Sequence, residues 1–472
     1  METNARDWLS LPQDKRQLLI NRFVDGQNHT DYIKLVAAGE LGVYASLGIH
    51  FDYAVFGRDS LQVAEDLLGT HKNLVEKIII TAAQLQGVKN DSRSEEEPGK
   101  IHHEFRAKVF DGQLVPEVSQ NIMQNLQKIW GDERSETLCY YGSYDATPLF
   151  IRLLGNYTER YGAEFLDHIY QSKLGHRRIK DALRSALEWL VAKVQASDWK
   201  LLEYKRLNLD SGIGNQAWKD SGTSYLHSNG EVANYDGGIA SIELQGLAYD
   251  ALKVGANLVA NDEVEKTKWL KMAQDIQTQT IGRLWLEDQQ YFGQGLDRAP
   301  DGQARVIDTL TSNPAAMLDS GLLADLQTSD RQKYVDAIIN AVTSREFMTP
   351  AGVRCRALKH KQMPGFVDYH GSYTVWPKET YSIAKGLRRH NKPELAKTLE
   401  DALVDSVIKA GEFYEFFYVN DDNHVWYNRS EAINHLKSIG LGENLAVPES
   451  GQAWTISAFL GIHDNTLPNQ AV

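Results

Sequence analysis

One connecting segment puts an aromatic ring and a carboxylate almost side by side. Residues 215–222 read NQAWKDSG, with Trp218 two positions before Asp220. The glycine and asparagine content of this segment disfavours a helix interior. An indole can pack against a flat ligand, and a carboxyl group beside it can donate a proton or accept a hydrogen bond. The segment is therefore a candidate edge of a binding site.

Aromatic side chains are frequent throughout the chain. The 472 residues include 10 Trp, 21 Tyr and 14 Phe, and many of these lie in glycine-rich connecting segments. Sugar rings have apolar faces and hydroxyl edges, so aromatic platforms rimmed by carboxylates and amides suit them. This pattern favours a polar cleft for a carbohydrate. Scattered surface aromatics with no function are the alternative.

Two further segments place acidic and aromatic side chains where helices are predicted to start. Arg58 and Asp59 stand in FGRDS (56–60), and Tyr141 precedes Asp145 in the segment before the next long helical pattern. An aspartate at a helix start can be the N-cap, and capping alone would explain either residue. The alternative is that Arg58 and Asp59 hydrogen-bond to sugar hydroxyls while the tyrosines line the same cleft.

Three glutamates near the C-terminal end are candidate acids or bases. Glu412 and Glu415 lie in an aromatic segment, and Glu449 directly precedes a predicted helix, where a capping role would suffice. Hydrolysis of a glycosidic bond needs two carboxyl groups: one protonates the leaving oxygen, and the other activates water or attacks directly. Carboxylates so far apart in sequence can serve one cleft only if their loops meet at one mouth of the fold.

The sequence predicts no metal and no cofactor. His103, Glu104 and Arg106 in EEEPGKIHHEFR (95–106) mix acid, base and donor, but no HExxH pattern or second histidine at helical spacing accompanies them. The two cysteines, Cys139 and Cys355, are distant from each other and form no CxxC pair. Two carboxylates suffice for the hydrolysis of a glycosidic bond.

The overall charge is acidic, with a formal net value of −13 and a pI near 5.6. Such a surface repels phosphate backbones, so nucleic acid is a poor candidate partner. The start of the chain lacks the apolar core of a signal peptide, and no apolar run reaches about 18 residues. We expect a cytoplasmic protein with a small carbohydrate as its partner, no membrane contact, and a homo-oligomer as an open possibility.

Helical periodicity dominates the chain, with apolar residues at i, i+3, i+4 and i+7. Helices are predicted over 29–48, 59–71, 73–87, 145–162, 178–195, 241–259, 261–285, 313–323, 331–344, 379–390, 393–411 and 450–462. Regular alternation with strands is absent, which disfavours a doubly wound sheet. The helices come in pairs and no linker divides them. The expectation is an all-α single domain over 1–472: an (α/α)6 barrel of six helix pairs in two rings, with aromatic-rich loops at its mouth.

Eight segments together resemble the amylo-α-1,6-glucosidase family, the glucosidase module of glycogen-debranching enzymes, which is related to glucoamylases. They are FGRDS (56–60), EEEPGKIHHEFR (95–106), YYGSYDATPLF (140–150), NQAWKDSG (215–222), IELQGLAYDAL (242–252), LTSNP (310–314), YHGSYTVWPKET (369–380) and SGQAWTISAFL (450–460). The resemblance implies the same barrel and inverting hydrolysis of α-glucosides from the non-reducing end, with release of glucose. Helices begin within the first 50 residues, where many debranching proteins have a β-domain, so small α-glucosides or short oligosaccharides are the expected substrates.

The resemblance also implies roles for individual residues. Asp220 matches the general acid, and Glu415 best matches the base. The proline that precedes the family's base is replaced in this chain by Tyr414, so Glu449 is the alternative base. The expected substrate-binding residues are Arg58, Asp59, Tyr141, Asp145, Trp218, Glu243, His370 and Trp376.

Three other functions fit parts of the pattern. A catalytically silent sugar-binding barrel would keep the aromatic platforms without a working acid or base. A phosphorylase would need a basic phosphate pocket, which the segment around Glu415 lacks. A hydrolase of an anionic solute of the glycosyl-glycerate type would need an extra cationic contact, for which Arg106 or Lys219 is the candidate.

Overall fold

The computed structural model describes residues 5–441 and 445–466, and most regular structure in them is helical. The α-helices there are α1 (Ala5–Ser10), α2 (Gln13–Val24), α3 (Gly57–Asp66), α4 (Lys72–Gln84), α5 (Glu117–Trp130), α6 (Ala146–Tyr161), α7 (Ile179–Ala196), α8 (Ile242–Leu258), α9 (Glu263–Leu284), α10 (Gly321–Ala324), α11 (Thr328–Val342), α12 (Pro377–Arg389), α13 (Pro393–Ala410), α14 (Arg429–Ser438) and α15 (Ala453–Thr466). The 3-10 helices are Tyr32–Val36, Gly39–Leu41, Glu164–Asp167, Tyr235–Gly237, Asn313–Asp319 and Leu358–His360.

Short strands occupy several connections between the helices. They are β1 (Ala54–Phe56), β2 (Glu104–Ala107), β3 (Val109–Phe110), β4 (Gln113–Leu114), β5 (Thr137–Tyr140), β6 (Ile169–Ser172), β7 (Gly175–Arg178), β8 (Ala240–Ser241), β9 (Trp285–Leu286), β10 (Tyr291–Phe292), β11 (Gly295–Arg298), β12 (Ala304–Ile307), β13 (Met348–Thr349), β14 (Gly352–Val353), β15 (Thr374–Val375), β16 (Phe417–Val419) and β17 (Val425–Trp426). The expectation of an all-α chain is therefore wrong, although helices form its framework.

Most of the predicted helices are confirmed, with ends shifted by a few residues. They correspond to α3, α4, α6, α7, α8, α9, α11, α12, α13 and α15. The helix predicted over 29–48 is wrong: only two 3-10 turns form there, because Gly39 and Gly42 take φ angles of +57° and +101°, which end any helix. The helix predicted over 313–323 divides at Ser320 into a 3-10 turn and α10.

Six elements pack as a closed cycle. α3 packs against α6, α6 against α8, α8 against the 3-10 helix Asn313–Asp319, that helix against α12, α12 against α15, and α15 against α3. A later helix packs against each of the first five members in the cycle: α4 on α3, α7 on α6, α9 on α8, α11 on the 3-10 helix and α13 on α12. α2 packs against α13. No helix among the described residues has the length and apolar character needed to cross a membrane.

Three small antiparallel sheets fix the starts of the cycle members. Their strand orders are β1-β2-β5, β8-β11-β12 and β15-β16-β17. β1 runs directly into α3 and β8 directly into α8, while β15 ends just before α12 and β5 precedes α6. Hydrogen bonds within each sheet therefore hold the first turns of these helices, and the segments before them, in place. These are the positions of the candidate site residues.

Residues from both ends of the described chain contact one buried glutamate, Glu412. Glu412, between α13 and β16, is 1% exposed and forms an ion pair with Arg16 of α2. Trp8 of α1 donates from its indole Nε1 to Glu412 Oε1 over 3.3 Å, and the backbone N–H of Gly451 donates to the same oxygen over 3.3 Å. One buried carboxylate thus ties the N-terminal helices to the segment that carries Glu415.

Arg354 is fully buried and holds two connecting segments together. Its guanidinium donates to the carbonyl oxygens of Ser372 (2.9 Å), Val419 (2.6 Å) and Asn420 (2.6 Å), and to Asn423 Oδ1 (2.9 Å). Burial without a paired carboxylate lowers the pKa of Arg354 to about 10, so the side chain still stays charged at neutral pH.

Arg354→Leu should therefore destabilise the fold by roughly 3 kcal/mol or more, because each buried acceptor left unpaired costs about 1–3 kcal/mol. Denaturant unfolding of the variant measures this. Arg345→Leu, at an exposed position in the same region, is the control and should change stability little. Equal effects in the two variants would contradict this role of Arg354.

Candidate active site

A cavity of about 290 Å³ collects residues from six of the segments that connect the helices. Of the ten predicted site residues, six line it: Arg58, Asp59, Trp218, Asp220, Trp376 and Glu415. The cavity also has walls that the predicted site did not include. These are Ala45, Phe51, Phe56, His103, Glu104, Trp130, Ile213, Tyr369, Gln452 and Trp454.

Gly57 allows the cavity floor to form. A Cβ atom at this position would lie 2.1 Å from the carbonyl oxygen of His102, so only glycine fits. The Gly57 N–H donates to the carbonyl oxygen of His103 over 3.0 Å. The close approach of the two backbones sets β2 beside the first turn of α3, which brings His103 and Glu104 to the same cavity as Asp59.

Arg58, in the first turn of α3, joins two carboxylates from other segments. Its Nε lies 2.7 Å from Asp145 Oδ2, and its Nη1 lies 3.1 Å from Asp220 Oδ2. Nη1 also donates to the carbonyl oxygen of Trp218 over 3.4 Å. Burial alone would lower the pKa of Arg58, but the neighbouring carboxylates raise it above its ordinary value, so the guanidinium stays charged. Arg58 therefore fixes the Trp218–Asp220 turn against α3.

The environment of Asp220 suits a proton donor. About 40% of its side chain is exposed, and the residue lines the cavity. Desolvation there raises its pKa, Asp145 raises it further, and the contact with Arg58 opposes the shift. A carboxylic acid with a raised pKa can keep its proton nearer to neutral pH.

Asp59 is a second buried acid of the cavity floor. Burial raises its pKa to about 7; Arg58 and Lys378 lower it, while Asp220 and Asp145 raise it. Its carboxyl group takes no part in an N-cap, since the residue at the N-cap of α3 is Phe56. The capping explanation for Asp59 is therefore wrong, and the side chain is available to a ligand in the cavity.

Glu415 is hydrogen-bonded to the backbone of Glu449, in the segment before α15. Its Oε2 accepts the backbone N–H of Glu449 over 3.3 Å, and its own N–H donates to the carbonyl oxygen of Glu449 over 3.0 Å. Burial raises the pKa of Glu415 well above its ordinary value, and the Glu449, Asp59 and Asp220 carboxylates add to the shift. Glu449 is absent from the cavity lining, and burial raises its pKa too. The geometry favours Glu415 over Glu449 as the carboxylate that faces a ligand.

Aromatic rings pack into a continuous wall on one side. The Trp376 ring lies 5.6 Å from that of Trp218 at 79° and 5.6 Å from that of Trp454 at 72°. His370 stacks on Trp376 with centroids 5.1 Å apart, and its Nδ1 is 3.1 Å from Ser221 Oγ. Trp376 Nε1 donates to the carbonyl oxygen of Tyr369 over 2.6 Å, which fixes the ring.

Four predicted binding residues lie outside this cavity. Asp145 and Glu243 line a smaller cavity on the far side of Arg58 and Trp218. Tyr141 is buried elsewhere: its hydroxyl donates to the carbonyl oxygen of Leu85 over 2.7 Å and also contacts Lys173. The structure places these three outside the larger cavity, and their role in substrate binding stays a prediction.

Each of the four residues outside the larger cavity has a partner within the protein. Asp145 pairs with Arg58, and Glu243 accepts a hydrogen bond from Asn313 Nδ2 over 2.9 Å as well as one from the Tyr225 hydroxyl. His370 supports Trp376 and Trp218 without lining the cavity.

Some of the unpredicted lining residues carried a sequence signal. His103 and Glu104 stood out as mixed acid and base, and Trp454 lies within the SGQAW segment. Phe51, Trp130 and Ile213 carried none, because their place in the wall depends on the β1-β2-β5 sheet and on packing such as the stack of Trp130 on Tyr140 at 4.0 Å.

The two cationic candidates for an anionic ligand are both occupied. Lys219 Nζ lies 2.6 Å from Ser312 Oγ, 3.0 Å from Glu379 Oε1 and 3.1 Å from the Cys355 carbonyl oxygen. Arg106 pairs with Glu104 and donates to a backbone carbonyl oxygen. No cluster of three or more potential metal ligands occurs within residues 5–441 and 445–466.

Comparison with known proteins places the fold but not the family. No family model and no curated protein sequence matches the chain. Among solved structures, a glycosidase has 11% identity over 97% of this chain and 98% of its own, with a TM-score of 0.56. The GH63 mannosylglycerate hydrolase from Thermus thermophilus matches in its glucose complex with 12% identity over 96% and 100% (TM-score 0.55), and in its Tris complex with 11% identity over 95% and 100% (TM-score 0.57). The chain thus has a helical fold found in glycosidases, and its resemblance to amylo-α-1,6-glucosidases stays a prediction.

The contacts of Glu415 lead to a prediction about which glutamate must be ionised for catalysis. A general base works only when it is ionised, that is, above its pKa. Activity should therefore rise as the pH increases through the pKa of Glu415, which sets the acidic limb of the pH profile. Removing the neighbouring carboxylate with Glu449→Gln should lower the pKa of Glu415 and move this limb to lower pH, with the plateau rate kept. Glu415→Gln should abolish turnover at every pH. The measurement is kcat/KM from pH 4 to 9.

Glu263→Gln, at an exposed position far from the cavity, is the control and should leave the profile unchanged. A well-folded Glu449→Gln without activity, together with an active Glu415→Gln, would transfer the role of base to Glu449.

Proposed function

We propose that the chain is an exo-acting, inverting glycoside hydrolase that releases a terminal sugar, in the first instance glucose, from small α-glucosides or short oligosaccharides. The observation that carries the proposal is the shared cavity of Asp220 and Glu415, in which Arg58 and Asp59 form the floor and tryptophans form the wall. Two carboxyl groups with aromatic platforms are what sugar hydrolysis needs.

The closed cycle of packed elements supports the architecture expected for this function. We propose that α3, α6, α8, the 3-10 helix Asn313–Asp319, α12 and α15 form the inner ring of an (α/α)6 barrel, with α4, α7, α9, α11 and α13 outside. Such a barrel would be a single domain. Its mouth would hold the segments before the inner helices, which include Arg58, Trp218 and Trp376.

Each cavity residue then has a chemical role. Asp220 donates its proton to the leaving glycosidic oxygen. Glu415 takes a proton from a water molecule as that water attacks the anomeric carbon from the opposite face. Arg58 holds Asp220 in place and offsets part of the negative charge that remains when the proton leaves. Asp59 accepts hydrogen bonds from the hydroxyls of the terminal sugar.

The charge of the lining favours a neutral substrate. Asp59, Glu104, Asp220 and Glu415 are acids, and the basic Arg58 already contacts two carboxylates. Burial and the nearby Arg58 lower the pKa of His103 well below its ordinary value, which keeps this ring neutral. A carboxylate on the aglycone would meet repulsion without a free cation to offset it among the described lining residues.

A hydrolase of glycosyl-glycerate-type solutes is the second candidate function. The observation in its favour is the name of the structural neighbour, a mannosylglycerate hydrolase. If sugars bind but no substrate is turned over, the protein is a catalytically silent sugar-binding barrel.

Product analysis by NMR should separate these functions. Over a panel of α-glucosides, α-mannosides and their glycerate conjugates, we expect turnover of neutral α-glucosides and initial release of β-glucose, the inverted anomer. Faster turnover of the glycerate conjugates would support the second candidate. Initial release of the α-anomer would contradict the inverting assignment.

Asp220→Asn should slow substrates with poor leaving groups most. These need protonation of the leaving oxygen, whereas activated aryl glucosides need little, so the variant should lose roughly 10²–10⁴-fold on alkyl glucosides and far less on nitrophenyl glucosides. Asp210→Asn, at an exposed position, is the control. Equal losses on both classes of substrate would argue against Asp220 as the general acid.

A further inference from the structure

Trp218 separates two cavities. It lines the 290 Å³ cavity described above, and it also lines an inner cavity of about 70 Å³ together with Arg58, Asp145 and Glu243. The proposed reaction uses only the larger cavity. The inner one has a further lining residue, Lys378, which no step of that reaction involves.

Lys378 has an unusual environment for a lysine. It lies in the first turn of α12, where the helix dipole disfavours a positive charge. Its Nζ is 4.1 Å from the centroid of the Trp218 ring and 5.7 Å from that of Trp454. Across 5–441 and 445–466, no hydrogen bond or ion pair joins this ammonium to another residue. The ammonium therefore packs against the two indoles.

Both indoles belong to the wall of the larger cavity, whereas Lys378 does not line that cavity. Attraction between a cation and an aromatic face is stronger when the cation is withdrawn from water. A cation in contact with both rings restricts how either can tilt. A sugar that packs against the wall then meets rings that are already oriented, which reduces the entropy lost on binding.

We propose that Lys378 is a positioning residue whose ammonium holds the Trp218 and Trp454 rings in the wall of the sugar cavity and so sets the affinity for substrate. The effect on affinity rests on the proposed function; the effect on the rings does not.

The charges that face Lys378 come from three segments. Glu379 is its neighbour on α12, Arg58, Asp59 and Asp66 belong to α3, and Asp145 precedes α6. Burial lowers the pKa of Lys378 to about 8, Arg58 lowers it further, and Glu379, Asp145 and Asp66 oppose the shift. The ammonium is therefore present below about pH 8 and is lost as the pH rises through that value.

Three of the acids around Lys378 are engaged elsewhere, and the fourth, Asp59, lines the larger cavity. Glu379 contacts Lys219, and Asp66 pairs with Lys385 at 2.7 Å. Asp145 pairs with Arg58. None of them substitutes for the indoles as a direct partner of Lys378.

A first test needs no substrate. Tryptophan emission of the free protein, followed from pH 6.5 to 9.5, should change with a midpoint near 8 as the ammonium loses its proton. Lys378→Met removes the charge and Lys378→Arg makes it permanent, so both variants should lack this step, and Trp218→Phe should reduce it. Persistence of the full step in Lys378→Met would overturn the proposal.

A second test separates binding from chemistry. Lys378→Met should raise KM for a neutral α-glucoside roughly tenfold, the factor that corresponds to about 1.4 kcal/mol, with kcat within about twofold. Lys378→Arg should restore much of the affinity because it keeps the cation. In the double variant with Trp218→Phe, the effects on KM should be less than additive, since both changes remove the same contact.

The matched control is Lys333→Met. Lys333 Nζ lies 4.8 Å from the Trp285 ring centroid at a solvent-exposed position remote from both cavities. This variant should leave KM and the emission step unchanged. Additive effects in the double variant, or a fall in kcat at constant KM, would overturn the positioning role.

The two tests also distinguish the proposal from the proposed function. If Lys378→Met does not fold, the pH dependence of the wild-type emission and the Lys378→Arg variant decide the matter. If no glycoside is turned over by the wild-type protein, the proposed function fails, whereas the emission step still shows whether Lys378 holds the indoles.

Discussion

The contact of Arg58 with Asp145 and Asp220 is the interaction on which the candidate site depends. It joins the start of α3, the segment before α6 and the NQAWKDSG turn through one buried guanidinium. Loss of this cation would leave the buried Asp145 carboxylate without a counter-charge, a state that costs several kcal/mol or forces protonation. The same charge limits how far the pKa of Asp220 can rise. One residue therefore sets both the position and the protonation of the proposed acid.

The short sheets and the buried hydrogen bonds around them explain why the long connecting segments keep a definite shape. Strands of two to four residues have little stability alone. In the three-stranded sheets they pair with strands from other segments, and side chains such as Arg354 and Lys219 satisfy backbone carbonyl oxygens that would otherwise be buried without partners. The site is thus held by polar contacts that lie outside the cavity and never touch a ligand.

The sequence predicted the framework better than the loops. Helical periodicity located ten of the helices from α3 to α15, because an amphipathic face leaves a regular trace along the chain. It missed α5 and α14. The strands were missed because runs such as Thr374–Val375 are too short for any period to show. Asp220, Glu415 and the Arg58–Asp59 pair were located through motifs. Asp145 and Glu243 line the smaller cavity, which the sequence did not distinguish from the larger one, because a motif that requires a carboxylate does not specify which cavity its side chain lines. Trp130 and Phe51 enter the wall through tertiary packing alone, which no local pattern encodes.

The contact between Arg16 and Glu412 has a consequence for biosynthesis. The two residues are 396 positions apart, and α15 closes the cycle of helices against α3. During translation, the α1–α2 region emerges long before the segment that will bury its polar side chains. The nascent chain cannot complete its proposed catalytic centre until nearly all of it has left the ribosome. Contacts of such long range slow folding, so we expect this chain to fold more slowly than one whose site is built from a local unit.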